Sequence, residues 1–136
     1  MPIAGVVADA NVLLSAAVGH AARRVYSRSA VVVHATRFNA DEVEEHLPRL
    51  VSMYGLAWEL VQIQWLALRV RIHTEGEYAS LLARARKDLA NRDPDDAHPL
   101  ALARLLKLPL WTNDRDLTGH GVDIYSTVRL LKTLNV

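Results

Sequence analysis

The sequence predicts an α/β fold, a three-layer α/β/α sandwich around a central, mainly parallel sheet of four to five strands. Short apolar runs at residues 3–8, 31–34 and 108–112 are typical of strands that are buried on both faces. Helical patterns separate these runs, and strands that alternate with helices pair in parallel. Because neither a repeat nor a linker interrupts the 136 residues, we expect one domain over residues 1–136.

The individual elements follow from periodicity. Apolar residues recurring every three or four positions predict helices, and β-branched or alternating runs predict strands. Asn39 or Asp41 can begin a helix, and Asp93 before Pro94 can begin another, in which Leu105 is expected to be buried. The expected strands cover 3–8, 31–34, 70–73, 108–112 and 122–125. The expected helices cover 11–18, 20–27, 39–50, 56–68, 77–89, 93–106 and 127–134.

Composition excludes several classes of protein. The chain has no cysteine, so disulfide scaffolds, zinc-thiolate sites and thiol nucleophiles are ruled out. No signal-peptide pattern is present, so we expect a cytoplasmic protein. The apolar segment 56–68 is too short to span a membrane and is expected to be a helix that makes protein contacts, in the core and in part at an interface.

Basic residues suggest a phosphate-containing partner. Three of the 16 basic residues are lysine and the other thirteen are arginine, whose planar guanidinium can bind phosphate through two hydrogen bonds. Arginines on solvated helix faces would produce the same composition. The candidate contacts to a nucleic-acid backbone are Arg23, Arg24, Arg28, Arg84, Arg86 and Arg92.

Two acidic residues directly follow predicted strands. Asp9 comes after the first strand, with Asn11 close by as a polar support. Asp114 comes after the strand at 108–112, with Asp116 two positions further on. Taken alone, each is also a common turn or cap residue. In a parallel sheet, however, the carboxyl ends of the strands form the edge at which ligands bind.

Two predicted helix starts carry further acids. Glu42 lies in the helix after the second strand, and Glu45 competes with it one turn later. Asp93, Asp95 and Asp96 fall within four residues at another helix start. Acids complement the helix dipole, but that effect does not require three of them. Like charges this close oppose one another's ionisation unless a cation offsets them.

These positions converge if the sheet is parallel. Carboxylate oxygens without cysteine or histidine nearby suit Mg²⁺ or Mn²⁺. Such ions lower the pKa of bound water and stabilise charge on a phosphoryl group. The chemistry implied is metal-dependent cleavage of a phosphodiester bond.

The chain resembles the PIN domain family, the nuclease fold shared by VapC-type toxins and many RNA-processing enzymes. The resemblance covers nearly the whole chain. It rests on four segments in this order and spacing: "VVADANVLLSAAVG" at 6–19, "ADEVEEHLPRL" at 40–50, "RDPDDAHPLALA" at 92–103 and "WTNDRDL" at 111–117.

The resemblance implies a role for each acidic position. The catalytic residues would be Asp9, Glu42, Asp96 and Asp114. The metal ligands would be Asp9, Asp96, Asp114 and, as an accessory or substitute, Asp116. The supporting residues would be Asn11, Thr112 and Asn113. The alternative acids are Glu45 and Asp93.

Resemblance to this family also implies an activity and partners. We expect a Mg²⁺- or Mn²⁺-dependent endoribonuclease that acts on single-stranded RNA, forms a homodimer and is the toxin of a toxin–antitoxin pair. The alternative is a non-catalytic PIN-like domain that binds RNA or protein without cleavage, because a complete set of acids permits activity without demonstrating it. A phosphatase of the haloacid-dehalogenase type is disfavoured, since Asn11 stands where its second aspartate would be.

Overall fold

The computed structural model of the chain describes residues 3–19, 21–90 and 92–136, with the side chain of Asp116 excluded. Five strands in these ranges form one parallel sheet in the order β3-β2-β1-β4-β5. The strands are β1 Gly5–Ala8, β2 Val32–Thr36, β3 Val70–His73, β4 Leu110–Trp111 and β5 Ile124–Tyr125. The predicted α/β class and parallel sheet are confirmed.

Helices cover both faces of the sheet. They are α1 Ala10–Ala17, α2 Arg23–Ser27, α3 Arg37–Tyr54, α4 Trp58–Ala67, α5 Glu75–Asp88, α6 Ala97–Leu106 and α7 Thr127–Leu134. Two short 3₁₀ helices span Pro94–Asp96 and Arg115–Leu117. The last predicted helix has the observed bounds, whereas the start expected at residue 20 lies outside the described residues.

Two apolar clusters fill the space between the sheet and the helices. Val6 and Ala8 of β1 point into the cluster that includes residues of α1, α3 and α7. Val7 between them points to the other face, where it packs with residues of α5 and α6. This alternation is the period-two geometry of a strand. Since both faces are covered, the run at 3–8 is apolar throughout, as a central parallel strand requires.

Several boundaries differ from the predicted ones. Helix α3 begins before Asn39, because extended Thr36 caps it with a side-chain oxygen that accepts from the Asn39 amide at 2.9 Å. Pro48 lies within this helix. Strands β4 and β5 contain two residues each, shorter than predicted. The prediction that Leu105 is buried is wrong, because its side chain is 38% exposed.

Helix α4 differs most from expectation. It spans ten residues rather than thirteen, and Val61 alone among these ten is buried. Large apolar side chains at the end of α3 and along α4 are exposed, from 37% at Trp58 to 80% at Leu66. We call this set the α4 apolar surface; it consists of Met53, Tyr54, Trp58, Leu60, Ile63 and Leu66.

Within the described ranges, none of the helices has the length and apolar character needed to cross a membrane.

Candidate active site

Asp9 stands where β1 ends and α1 begins. Its side chain is buried, and one carboxylate oxygen accepts a hydrogen bond from the Val12 amide at 3.0 Å, which caps the helix. The other oxygen accepts a short hydrogen bond from the Thr112 hydroxyl. Burial raises the pKa of Asp9, and nearby Asp114 adds to the rise, whereas the bonds from Thr112 and Val12 oppose it. Asp9 is therefore a rigidly held carboxylate in an unfavourable environment for charge.

The loop after β4 is tied to its neighbours by side chains. Thr112 Oγ1 accepts from the Asp114 amide at 3.0 Å while its hydroxyl donates to Asp9. Asn113 Oδ1 accepts from the Thr127 amide at the start of α7, at 2.9 Å. Trp111 Nε1 donates to Thr127 Oγ1 at 3.0 Å. Thr112 and Asn113 thus fix the backbone that carries Asp114 beside Asp9.

Glu42 and Glu45 occupy different environments on α3. Glu42 is partly buried, and its Oε1 accepts from Asn39 Nδ2 at 2.8 Å. Burial raises the pKa of Glu42, the Asn39 hydrogen bond opposes this, and Asp95 and Asp93 raise it further. Glu45 is exposed. Glu42 is consequently the α3 acid that faces the other carboxylates.

The turn before α6 carries the densest group of acids. Asp93 caps the 3₁₀ helix, since its side chain accepts from the Asp95 amide at 3.0 Å. Asp96 stands at the N-terminus of α6 without a side-chain capping bond. Burial raises the pKa of Asp96 to about 6, with further contributions from Asp93, Asp114 and Asp9. Arg92 partly offsets the rise.

These interactions join the acids from four parts of the chain. Asp96 is coupled to Asp9 and Asp114, and Glu42 is coupled to Asp93 and Asp95 on the same turn as Asp96. Asp9 and Asp114 follow β1 and β4, Glu42 lies on the helix after β2, and Asp96 stands at the start of α6. The side chain of Asp116 lies outside the described part of the structure, so its predicted role as a ligand stays a prediction.

The donor chemistry of the cluster fits a hard divalent cation. All of its acidic side chains offer carboxylate oxygen, and their mutual repulsion is what a bound cation would relieve. Among the side chains that the structure describes, no three of the aspartates, glutamates and histidines already stand in a metal-binding arrangement. Binding through three carboxylates would therefore need side-chain rotation, for which the partly buried Asp96 and Asp114 have more room than buried Asp9.

Asn11 supports Asp9 through its backbone. A hydrogen bond from the Asn11 backbone N–H lowers the pKa of Asp9, while the Asn11 side chain is exposed. That side chain lines a groove between α1 and α3, with a volume of ≈ 410 Å³, which continues past His46 to Tyr54. The groove joins the neighbourhood of Asp9 to the α4 apolar surface.

The candidate arginines are divided between the two edges of the sheet. Arg92 lies close enough to act on Asp96. Arg24 and Arg28 instead flank Tyr26. This residue lines a cavity with the first residues of β2 and β3, at the opposite edge of the sheet. Arg84 pairs with Asp88 at 3.2 Å, and exposed Arg86 lies two residues further along α5.

Arg23 has a structural role. Its guanidinium donates to the main-chain carbonyls of Ala16 and Ala17, at 3.1 and 3.2 Å, and to Gln64 Oε1 at 2.6 Å. These bonds satisfy the open C-terminus of α1. Contact between Arg23 and nucleic acid stays a prediction, and these bonds give the side chain a second role.

Sequence reasoning missed the polar groups that support the site. Thr36 and Asn39 are buried and hydrogen-bonded to each other behind Glu42. Buried His98 bonds to the Tyr78 hydroxyl at 2.7 Å through Nδ1. Short polar residues near a helix start signal a cap in sequence, but nothing there reveals that an amide reaches a particular carboxylate.

Two further histidines, 39 positions apart in the sequence, are adjacent in the fold. His34 Nδ1 and His73 Nε2 lie 2.9 Å apart across β2 and β3. His73 Nδ1 is 3.1 Å from Glu77 Oε1. This pair packs at the sheet and on α5, and none of the acids at the carboxyl edge contacts it by hydrogen bond in the described residues.

The fold and the acidic edge together define an α/β protein of the PIN type. A family model described as "PIN domain" matches residues 7–135. The chain belongs to the PIN domain family. Among curated protein sequences, none matches the chain.

Solved structures share the fold at low sequence identity. PAE2754 from Pyrobaculum aerophilum is 16% identical with a TM-score of 0.73, covering 98% of this chain and 90% of that one. A toxin–antitoxin complex from Klebsiella pneumoniae gives 20% identity and a TM-score of 0.67, covering 90% and 97%. VapC20 from Mycobacterium tuberculosis, described as a toxin that cleaves the sarcin–ricin loop, gives 19% and 0.60, covering 86% and 95%.

Proposed function

We propose that the chain is a divalent-metal-dependent endoribonuclease in which Asp9, Glu42, Asp96 and Asp114 form the catalytic centre. The observation that carries the proposal is the convergence of acids at the carboxyl edge of the sheet, where Thr112 joins Asp9 to the backbone of Asp114 and the charge of Asp96 acts on both. Carboxylates crowded in this way oppose one another's ionisation and repel a nucleic-acid backbone. A bound Mg²⁺ or Mn²⁺ ion would remove both obstacles, and VapC20, which has the same fold, is described as an RNA-cleaving toxin.

The proposed role of each residue follows from its position in the fold. Asp9 and Asp114 would hold the ion from the strand ends, with Thr112 fixing the distance between them. Asp96 would approach from the N-terminus of α6, and Glu42 from α3. When bound, the ion would supply a nucleophilic water and stabilise negative charge on the phosphate. Arg92, whose charge acts on Asp96, would contact the RNA backbone.

Cleavage of RNA by the purified chain tests this function. We expect cleavage of single-stranded RNA with Mn²⁺, loss of cleavage with EDTA, and loss of more than ~100-fold in Asp9→Asn and Asp96→Asn variants. Asp123→Asn is the matched control, because Asp123 is exposed and lines a cavity with Leu108 and Pro109, which precede β4. Cleavage that survives EDTA and both substitutions would overturn the mechanism. RNA binding without any cleavage would favour the non-catalytic alternative.

We also propose that the chain is the toxin of a toxin–antitoxin pair, with a small antitoxin on the α4 apolar surface. The exposed side chains of this surface form a patch of the kind that marks protein contacts. The groove from Tyr54 to Asn11 would lead a bound segment towards Asp9. One structure with this fold is described as a toxin–antitoxin complex.

Co-purification tests the partner. The small protein encoded beside this chain should co-purify with it, and Ile63→Asp with Leu66→Asp should abolish that association while cleavage of RNA is retained. Val128→Asp is the control, because Val128 is equally exposed at 65% but lies on α7. Retained co-purification by the double variant would exclude this surface. Sedimentation of the purified chain tests the expected homodimer.

A further inference from the structure

A buried amide stands behind Glu42. Asn39 is 3% exposed, in the first turn of α3. Its Nδ2 donates to Glu42 Oε1 at 2.8 Å, and its Oδ1 accepts from Thr36 Oγ1 at 2.8 Å. Both ends of the amide are therefore used, one by the end of β2 and the other by the glutamate one turn further along the helix.

The hydrogen-bond partners determine which way the amide points. Thr36 Oγ1 accepts from the Asn39 backbone amide at 2.9 Å and donates its hydroxyl proton to Asn39 Oδ1 at 2.8 Å. A flipped amide would place Oδ1 against the Glu42 carboxylate, two acceptors without a proton between them. Nδ2 therefore faces Glu42, and the bond is a charge-assisted one.

Helix capping does not account for the Asn39 side chain. The cap of α3 is complete with the Thr36 oxygen and the Asn39 backbone amide. Asparagine has a poor helix propensity, and burying its side chain is costly unless partners are present. Burial also raises the pKa of Glu42, and the Asn39 bond opposes that rise. The Asn39 side chain therefore stabilises the Glu42 carboxylate and does not cap the helix.

Thr36 has a polar neighbour on α5. Burial raises the pKa of Tyr78, and the nearby Thr36 side chain opposes the rise. The Tyr78 hydroxyl lies 2.7 Å from His98 Nδ1, and the His98 ring stacks on Phe38 with centroids 4.0 Å apart. His98 is two residues beyond Asp96. The buried polar groups behind Glu42 are thus neighbours of the turn that carries the other acids.

We propose that Asn39 is a positioning residue, which holds the Glu42 carboxylate towards the acids of the Asp93–Asp96 turn. A glutamate side chain has three rotatable bonds, and without the amide it would turn to solvent beside exposed Glu45 and Asp41. Only the expected effect of Asn39 on cleavage rests on the proposed nuclease function. The tether itself is a property of the folded chain.

A double-mutant cycle tests whether Asn39 acts through Glu42. Supporting residues around a metal centre commonly contribute 10–100-fold, so Asn39→Leu should lower kcat by about that factor with little change in KM. In a Glu42→Ala background, the same substitution should cost less than about threefold. An equal loss in both backgrounds would mean a merely structural role and would overturn the proposal. If Asn39→Leu does not fold, as judged by its melting temperature, Asn39→Ala takes its place in the cycle.

A second readout is independent of metal and of activity. In EDTA, the side-chain amide resonances of Asn39 should be shifted and protected from exchange in the wild-type chain and should lose both features in Glu42→Ala. Glu45→Ala is the matched control and should leave them unchanged. Resonances that do not respond to Glu42→Ala would overturn the tether. Failure of the wild-type chain to cleave RNA would refute the proposed function, while these spectra would still decide the role of Asn39.

Discussion

Neutralising Asp96 is expected to stabilise the protein in the absence of divalent ions. Burial and three neighbouring acids raise the pKa of Asp96 from its ordinary value of 3.8 to about 6. At ~1.4 kcal/mol per pH unit, that interval corresponds to about 3 kcal/mol against the ionised side chain in the folded state. Partial exposure and the favourable helix N-terminus reduce this, the latter by ~0.3–1 kcal/mol. The expected gain in Asp96→Asn is about 1–2 kcal/mol.

The pH dependence follows from the direction of the shift. Above pH ~6 the carboxyl group is ionised in both the folded and the unfolded chain, so the penalty is fully present. As pH falls from about 6 towards 3.8, the folded chain takes up a proton that the unfolded chain has still released, and the penalty is relieved. The advantage of Asp96→Asn should therefore be largest near neutral pH and should vanish below pH ~4.

Thermal unfolding in EDTA measures the effect. For a chain of this length, 1–2 kcal/mol corresponds to a rise of about 3–7 °C in Tm. Addition of Mn²⁺ should stabilise the wild-type chain more than the variant and so reduce or reverse the difference. Asp123→Asn should melt like the wild type under both conditions. A Tm for Asp96→Asn equal to or below that of the wild type at pH 7.5 in EDTA would refute the reasoning.

Two further predictions concern stability away from the acids. Thr127→Val should cost about 1–3 kcal/mol, because it leaves the buried Trp111 indole N–H without its acceptor, whereas Thr133→Val on the exposed part of the same helix should cost less than ~0.5 kcal/mol. Leu100→Ala should cost ~2–5 kcal/mol and Leu105→Ala below ~1 kcal/mol, since only Leu100 is fully buried. Urea unfolding measures both pairs, and similar losses within either pair would contradict the assigned environments.

The fold could be predicted because its signals are local. Apolar runs that end in polar residues identified β1, β2 and β4, and alternation at 70–73 identified β3. The family resemblance covered segments that lie almost wholly within the residues that the PIN domain model matches. Asp9 and Asp114 were placed at the carboxyl edge for the same reason: each is adjacent in sequence to a strand. Asp96 was predicted as a site residue because it stands at a predicted helix start.

Other features depended on contacts that sequence does not specify. Glu42 and Glu45 are one turn apart on α3 and equivalent in pattern, and only packing makes one partly buried and the other exposed. Arg23 appeared to be a free cation, yet it closes the end of α1. Helix α4 was expected to lie in the core and in part at an interface, whereas Val61 is its one buried residue and Trp65 packs partly buried against the core.

By itself, the sequence determined the order of strands and helices, the parallel sheet, and the set of carboxylates that this sheet gathers at one edge. These depend on periodicity and on the adjacency of acids to strand ends, which the chain carries locally. Only the tertiary structure decided the surroundings of each carboxylate: Thr112 bonds to Asp9, Asn39 bonds to Glu42, and burial with neighbouring acids raises the pKa of Asp96. Hydrogen bonds, burial and charge coupling join residues up to 103 positions apart, and no local pattern encodes those distances.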